Sequence, residues 1–256
     1  MNEAGEPSTH PKPTVLVPVA VRGEASLPDG TAALLANARV VVAGYYEVPE
    51  QPATEQAREQ FGESAKTTLR ELAATLADVG ATVETRLVFT HEAATTIDRI
   101  VYEHDCLAVL VANHVERVDD VLLAVRGLVG LEQNAALVAG LFADRGVDVT
   151  VYHGRDADEP AADARGVVTE TEWALRERGM KASTIETVIE QTNEPVAAIA
   201  RQAADHDVVV MGETNPSVTT VVFGMPADRV AERFEGPVLV VQRPRPETCG
   251  VWDGGE

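Results

Sequence analysis

The chain is poor in lysine, cysteine and aromatic residues, and each shortage closes off a class of function. Only Lys12, Lys66 and Lys181 are lysines among 21 basic residues, against 41 acidic ones, so the formal net charge is −20 over 256 residues. Gripping a nucleic-acid backbone or an anionic membrane surface requires clustered Lys and Arg, and this balance argues against both partners. Aromatics make up 4% of the chain, too few to expect stacking platforms for bases. Cys106 and Cys249 are the two cysteines, far apart and with no CxxC spacing or nearby histidine cluster. Neither a disulfide framework nor a metal site is indicated. No run reaches the roughly 18 apolar residues that span a bilayer. The start, MNEAGEPSTHPKPT, lacks the apolar stretch of a secretory signal. A cytoplasmic protein without direct membrane insertion is expected, and 45% hydrophobic residues give it a core to fold around.

The pattern that is present repeats itself. Val15–Val19 and Val121–Val125 are short, continuous apolar runs, each closely followed by Arg-Gly (Arg22-Gly23, Arg126-Gly127). Helical stretches follow at Thr31–Ala36 and Leu131–Asp144, the second placing Leu131, Ala135, Val138 and Phe142 on one face. Further strands are expected at Arg39–Gly44 and Val147–His153. In the first half a stripe of Phe61, Ala65, Leu69, Leu72, Leu76 and Val79 predicts a long helix stopped by Gly80. Its counterpart runs from Ala161 to Arg178 and stops at Gly179. A third strand in each half (Thr82–Phe89, Ser183–Ile189) leads to a short helix (Ala94–Glu103, Pro195–Ala204). The segments His104–Val111 and His206–Met211 then match almost position for position. Continuous apolar strands interleaved with amphipathic helices predict a parallel sheet covered on both faces. The fold class is therefore α/β, a doubly wound parallel sheet in two repeats.

The halves are unequal. After Gly212 the second half continues through a loop, a helix near Pro226–Phe234 and a last strand, Pro237–Val241, whereas the first half has only Ala112–Asp120 before the next strand. This divides the chain into a flexible tail (1–13), a degenerate repeat lacking its last strand (14–117), a complete repeat (118–243) and a second flexible tail (244–256).

The second half resembles the universal stress protein (UspA-like) family. The resemblance is carried by Val121-Leu-Leu-Ala-Val125, Val149-Thr-Val-Tyr-His153, Asp205-His-Asp-Val-Val-Val-Met-Gly212, Ala227-Asp-Arg-Val-Ala-Glu232 and Gly236-Pro-Val-Leu-Val-Val241. It extends more weakly to the first half, from about Thr14 to Ala112. Acidic excess with so few lysines also resembles proteins of salt-loving archaea, whose salt-rich cytosol screens surface charge. The family resemblance implies a Rossmann-like fold of the adenine nucleotide alpha hydrolase kind. It also implies a regulatory, stress-response role without catalysis, and homodimerisation through the last strand, here Val238, Leu239, Val240 and Val241. A membrane transporter is a further implied partner.

Some members of that family bind ATP. They do so with an Asp after the first strand and a loop of the form Gly, two residues, Gly, nine residues, Gly-Ser/Thr after the fourth. Here Gly212 and Gly224 are present, but Asn215 replaces the middle glycine, the second gap is eight residues, and Met225 replaces the hydroxyl. Pro216 and Pro226 lack an amide N–H, and Glu213 and Asp228 add negative charge. Arg126 stands where the Asp belongs. The departures predict a protein without ATP and without a cofactor. The alternative is an ATP- or AMP-binding switch with slow or no hydrolysis, using Arg126, His153, Gly212, Asn215, Ser217 and Gly224. Arg126 is open to two readings, an anion grip or an ion pair with Glu132 or another local carboxylate. His153 reads either as a ligand contact or as a satisfied structural histidine, and His104 and His206 read as helix-end residues. No catalytic set or metal cluster emerges.

Overall fold

The computed structural model describes residues 11–21, 25–48, 54–212 and 234–243. Each apolar run of the first half becomes a strand: β1 (Thr14–Ala20), β2 (Arg39–Glu47), β3 (Thr82–Thr90) and β4 (Ala108–Val111). Between them lie α1 (Thr31–Leu34), α2 (Thr54–Asp78) and α3 (Ala93–Glu103). The second half gives β5 (Asp120–Val125), α4 (Leu131–Phe142), β6 (Asp148–Arg155), α5 (Ala161–Glu177), β7 (Ile185–Gln191), α6 (Pro195–Ala203), β8 (Val208–Gly212) and β9 (Val238–Val241). The stripe residues Ala65, Leu69, Leu72 and Leu76 are the buried face of α2. Gly80 and Gly179 lie just past α2 and α5 with φ of 101° and 87°, a left-handed conformation that ends a helix at low cost only in glycine.

All nine strands form one sheet in the order β3-β2-β1-β4-β9-β8-β5-β6-β7. Every neighbouring pair is parallel except β4 and β9, which are antiparallel. The first four strands therefore share one direction and the last five the opposite one. The order β3-β2-β1-β4 reappears as β7-β6-β5-β8, so the topology repeats as the sequence does, and the first repeat stops at four strands.

The last strand departs from expectation. Val238–Val241, expected to pair with a second copy of the chain, pair instead with β4 on one side and β8 on the other. Both backbone edges of β9 are thus hydrogen-bonded within the chain, and its four side chains are 0–2% exposed. The physical reason is the trimmed first repeat, which leaves β4 with a free edge that β9 closes. Pairing there buries Val238, Leu239, Val240 and Val241 under both repeats, each worth about 1.5–3 kcal/mol.

The sheet's own edges fall on β3 and β7. These strands are charged, with Glu84 and Arg86 forming a 2.6 Å ion pair on β3 and Glu190 on β7 meeting Arg201 at 2.5 Å. Such edges discourage further strand addition. Among the described residues no helix is long and apolar enough to cross a membrane.

Candidate functional site

In open α/β sheets ligands bind beyond the carboxyl ends of the strands, where the strand order reverses. The second repeat reverses between β5 and β8, and a cleft of about 370 Å³ opens there. Its walls come from the ends of β5 (Ala124, Val125) and β8 (Met211, Gly212), the exit of β9 (Val241, Gln242, Arg243) and Ile199 of α6. The turn from β5 into α4 supplies Arg126, Gly127, Val129 and Gly130, and α4 itself supplies Asn134. Gly130 caps α4 with φ 78°, and no side chain caps the helix start.

The charge of this lining is unusual for the chain that makes it. Against 41 acidic residues in the sequence, the described lining contains two arginines and no carboxylate. The nearest acidic side chain of α4, Glu132 in its first turn, is held by Arg178. Glu132 is therefore not the partner of Arg126, which is exposed and has no hydrogen bond or ion pair among the described residues. Of the carboxylates open to Arg126, Glu132 is thus taken by Arg178, while Glu213 and Asp228 lie outside the described residues. Asn134 is 4% exposed, and its Oδ1 has no hydrogen-bond partner, a rarity among buried polar atoms.

The candidate residues divide three ways. Arg126 and Gly212 meet in the cleft. Asn215, Ser217 and Gly224 lie outside the described residues, as do Met225 and Asp228. His153 lies elsewhere: it is 2% exposed on β6, with Nδ1 3.0 Å from the Val125 carbonyl and Nε2 2.9 Å from Glu159. Both ring nitrogens are occupied inside the fold, so His153 ties β6 to β5 and is absent from the described lining of the cleft. Among the other histidines, His206 acts at a helix end, its Nδ1 2.8 Å from the Gln202 carbonyl of α6. His104 is the C-cap residue of α3, its amide bonded to the Ile100 carbonyl at 3.1 Å, and its ring faces β3, where Nε2 accepts from Arg86 Nε at 3.0 Å and Nδ1 lies 3.4 Å from Glu84. Cys106 is a buried free thiol.

Asn134, Gln242 and Arg243 are the polar lining residues that the sequence did not single out. For Asn134 a signal existed: it stands three residues after Leu131 on the apolar face of α4, where a polar side chain interrupts the stripe. Gln242 and Arg243 follow the last strand, and nothing in their spacing marks them.

The corresponding position in the first repeat, between β1 and β4, is different. A cavity of about 390 Å³ lies there, lined by apolar residues such as Val19, Leu27 and Leu110, with no charged side chain in its described lining. Its helix, α1, is four residues long, and the segment after β4 packs on its start: Thr31 donates from Oγ1 to the Asn113 carbonyl at 3.1 Å. A Cβ on Gly30 would stand 1.6 Å from the Val115 carbonyl oxygen. Asn113 also donates through Nδ2 to the Gly236 carbonyl at 3.0 Å, just before β9. The inter-repeat segment thus fastens the first repeat to the seam strand.

A doubly wound α/β sheet with a cleft at its switch point is the class these features define. Within that class the fold is that of the universal stress proteins. A universal stress protein from Archaeoglobus fulgidus DSM 4304 matches 90% of this chain and 96% of its own, with a TM-score of 0.60 at 16% identity. A putative universal stress protein from Pseudomonas aeruginosa UCBPP-PA14 matches 91% of this chain and 94% of its own, at TM-score 0.45 and 16% identity. A second Archaeoglobus fulgidus universal stress protein matches 48% of this chain and 97% of its own, at TM-score 0.37 and 23% identity. At these identities the likeness is one of fold. The sequence matches no protein-family model and no curated protein.

Proposed function

We propose that the chain is a stress-response regulatory protein of the universal stress type, which acts by binding and not by catalysis. Its second repeat takes a small adenine nucleotide in the cleft between β5 and β8. The observation that carries this reading is a switch-point cleft that holds two arginines and no carboxylate in its described lining, within a chain of net charge −20. A described lining free of acidic side chains at one concave position of an otherwise acidic protein fits an anionic ligand. The described lining side chains contribute apolar contact, guanidinium groups and amides, the chemistry that holds a small anionic ligand in place. The first repeat, with no charged side chain in the described lining of its cavity and a four-residue helix, has a scaffolding role in this reading.

Thermal unfolding in the presence of adenosine, AMP, cyclic AMP and ATP tests the proposal, because a ligand of the folded state raises the midpoint by mass action. A midpoint that climbs with nucleotide concentration, without consumption of the nucleotide, is the expected result. An unmoved midpoint across the panel would falsify the reading.

A further inference from the structure

His153 does not line the cleft, yet its contacts reach it. The ladder between β5 and β6 ends on the pair Val125 and His153. There Nδ1 of the ring lies 3.0 Å from the Val125 carbonyl oxygen, and Nε2 lies 2.9 and 3.1 Å from the two carboxylate oxygens of Glu159. A backbone carbonyl only accepts, so Nδ1 carries a hydrogen and donates it. A neutral ring then has a bare lone pair at Nε2, which repels a carboxylate at 2.9 Å. One further proton therefore lies between Nε2 and Glu159. With that proton the pair is neutral as a whole, which suits a ring that is 2% exposed. Glu159 is set in place by its own turn: Arg155 donates through Nη1 to the Glu159 carbonyl at 2.6 Å, and the Glu159 amide donates to the Asp156 carbonyl at 3.2 Å. The other charged and titratable groups nearby point elsewhere. Arg155 Nη2 reaches Gln191 on β7, Tyr152 lies on the opposite face of β6 against Glu190, and Asp163 in the first turn of α5 is exposed.

We propose that His153 and Glu159 are positioning residues: an imidazole–carboxylate clamp, joined by a proton, that holds the Val125–Arg126 peptide and so aims the Arg126 side chain at the cleft. A peptide unit is planar. A bond that fixes the Val125 carbonyl therefore also fixes the plane of the Arg126 amide, and with it the direction in which the Arg126 side chain leaves the end of β5. Arg126 lines the cleft and has no hydrogen bond or ion pair of its own among the described residues, so its aim is set by the backbone. Glu159, in the turn before α5, acts through two intervening groups on a residue of the β5–α4 turn. The clamp adds to the reading of the preceding section by assigning what orients one of the cleft's arginines, and it rests on contacts that involve no ligand.

Nuclear magnetic resonance of the full chain, labelled with nitrogen-15, tests the clamp in the parent, Glu159→Gln and Glu159→Ala. In the parent, His153, assigned through its contact with Val125, should show two ring N–H resonances protected from water. Glu159→Gln supplies an amide that donates to Nε2 of a neutral ring, so one ring N–H, on Nδ1, should remain and the Arg126 amide resonance should keep its parent position. Glu159→Ala removes the partner: the ring N–H should exchange with water about tenfold faster or more, and the Arg126 amide resonance should move. A purely structural role would not be rescued at Arg126 by the amide. A single ring N–H in the parent overturns the shared proton. An unmoved Arg126 resonance in Glu159→Ala, with the β1 amides at their parent positions, overturns the positioning. Should Glu159→Ala fail to fold, Glu159→Gln still decides, since two ring N–H resonances there would mean that the proton does not depend on the carboxylate, which overturns the clamp. No ligand enters these measurements, so failure of the clamp leaves the nucleotide reading standing, and failure of that reading leaves the clamp standing.

Discussion

Tyr152 and His153 are neighbours on β6, both buried, and each is fixed by its own carboxylate, Glu190 on β7 and Glu159 in the turn before α5. Tyr152 donates its hydroxyl to Glu190 Oε2 at 3.1 Å. Burial, and then the charge of Glu190, push its phenol up to about 12. A group whose folded value is raised above the ordinary one near 10 contributes stability that is complete below that value and is lost as pH rises through the folded one. Urea midpoints should therefore fall between about pH 10 and 12, and Tyr152→Phe should flatten that part of the profile. A profile of the same slope in the variant would assign the alkaline loss to other groups. Gly236 offers a second residue-scale test: a Cβ there would meet the Phe234 ring at 2.4 Å and the Asp207 carbonyl at 2.6 Å. Gly236→Ala should cost about 1–3 kcal/mol in chemical denaturation. At this scale the sequence is least informative. That His153 would be satisfied by Val125 and Glu159 depends on the β5–β6 register and on a carboxylate six residues on, neither visible in a spacing pattern. Arg126 was legible as a residue at the sheet's carboxyl edge, but its lack of a partner among the described residues was not, because Arg178 reaches Glu132 across 46 residues of chain.

Among elements, the helices and strands follow the apolar periodicity closely, and the departures have local causes. The strand expected at Ser183–Ile189 begins instead at Ile185, after a 3-10 turn over Ala182–Thr184. There Thr184 donates both its amide and its hydroxyl to the Lys181 carbonyl, each at 3.0 Å. Side-chain competition of this kind lets Ser and Thr replace ladder bonds, whereas hydrophobicity alone gives no sign of it. For β9 the apolar run was legible as a strand, but its partner was not, since Val238–Val241 fits equally well against a second copy or against β4. The pairing changes the outcome of a substitution. Were β9 a dimer strand, Val240→Pro would yield folded monomers. Placed opposite Val109 and Met211 in the middle of the sheet, the proline removes a ladder donor and disturbs both repeats. Loss of cooperative folding by circular dichroism is expected, at a cost of about 3 kcal/mol or more. A folded, smaller species in light scattering would contradict the intrachain pairing.

Across the whole molecule, charge and topology set different conditions. A net charge of −20 concentrates self-repulsion on the compact state, and salt at molar levels shortens its range to about 3 Å. The melting temperature should rise on going from dilute buffer to molar KCl, and an unchanged value would show that local pairs such as Glu84–Arg86 already offset the repulsion. The repeats themselves are held together by more than the seam. Arg145, in the turn after α4, donates to the carbonyls of Ala33 and Leu34 at 3.1 and 3.3 Å. Gly140 lies so near Pro13 that a Cβ would come within 2.8 Å of its ring.

The seam strand also bears on descent. Two equal copies can separate again, by fission of the gene or by one copy drifting away, because each carries all its strands. Here the first half has four strands among the described residues and shares β9 across the seam, so that route is shut. Freed from the second copy, it would expose the β4 edge; freed from the first, the second would expose β9. The shared strand thus makes the two halves an obligate union, in which the half that bears the switch-point cleft cannot be separated from the half that does not without opening the sheet.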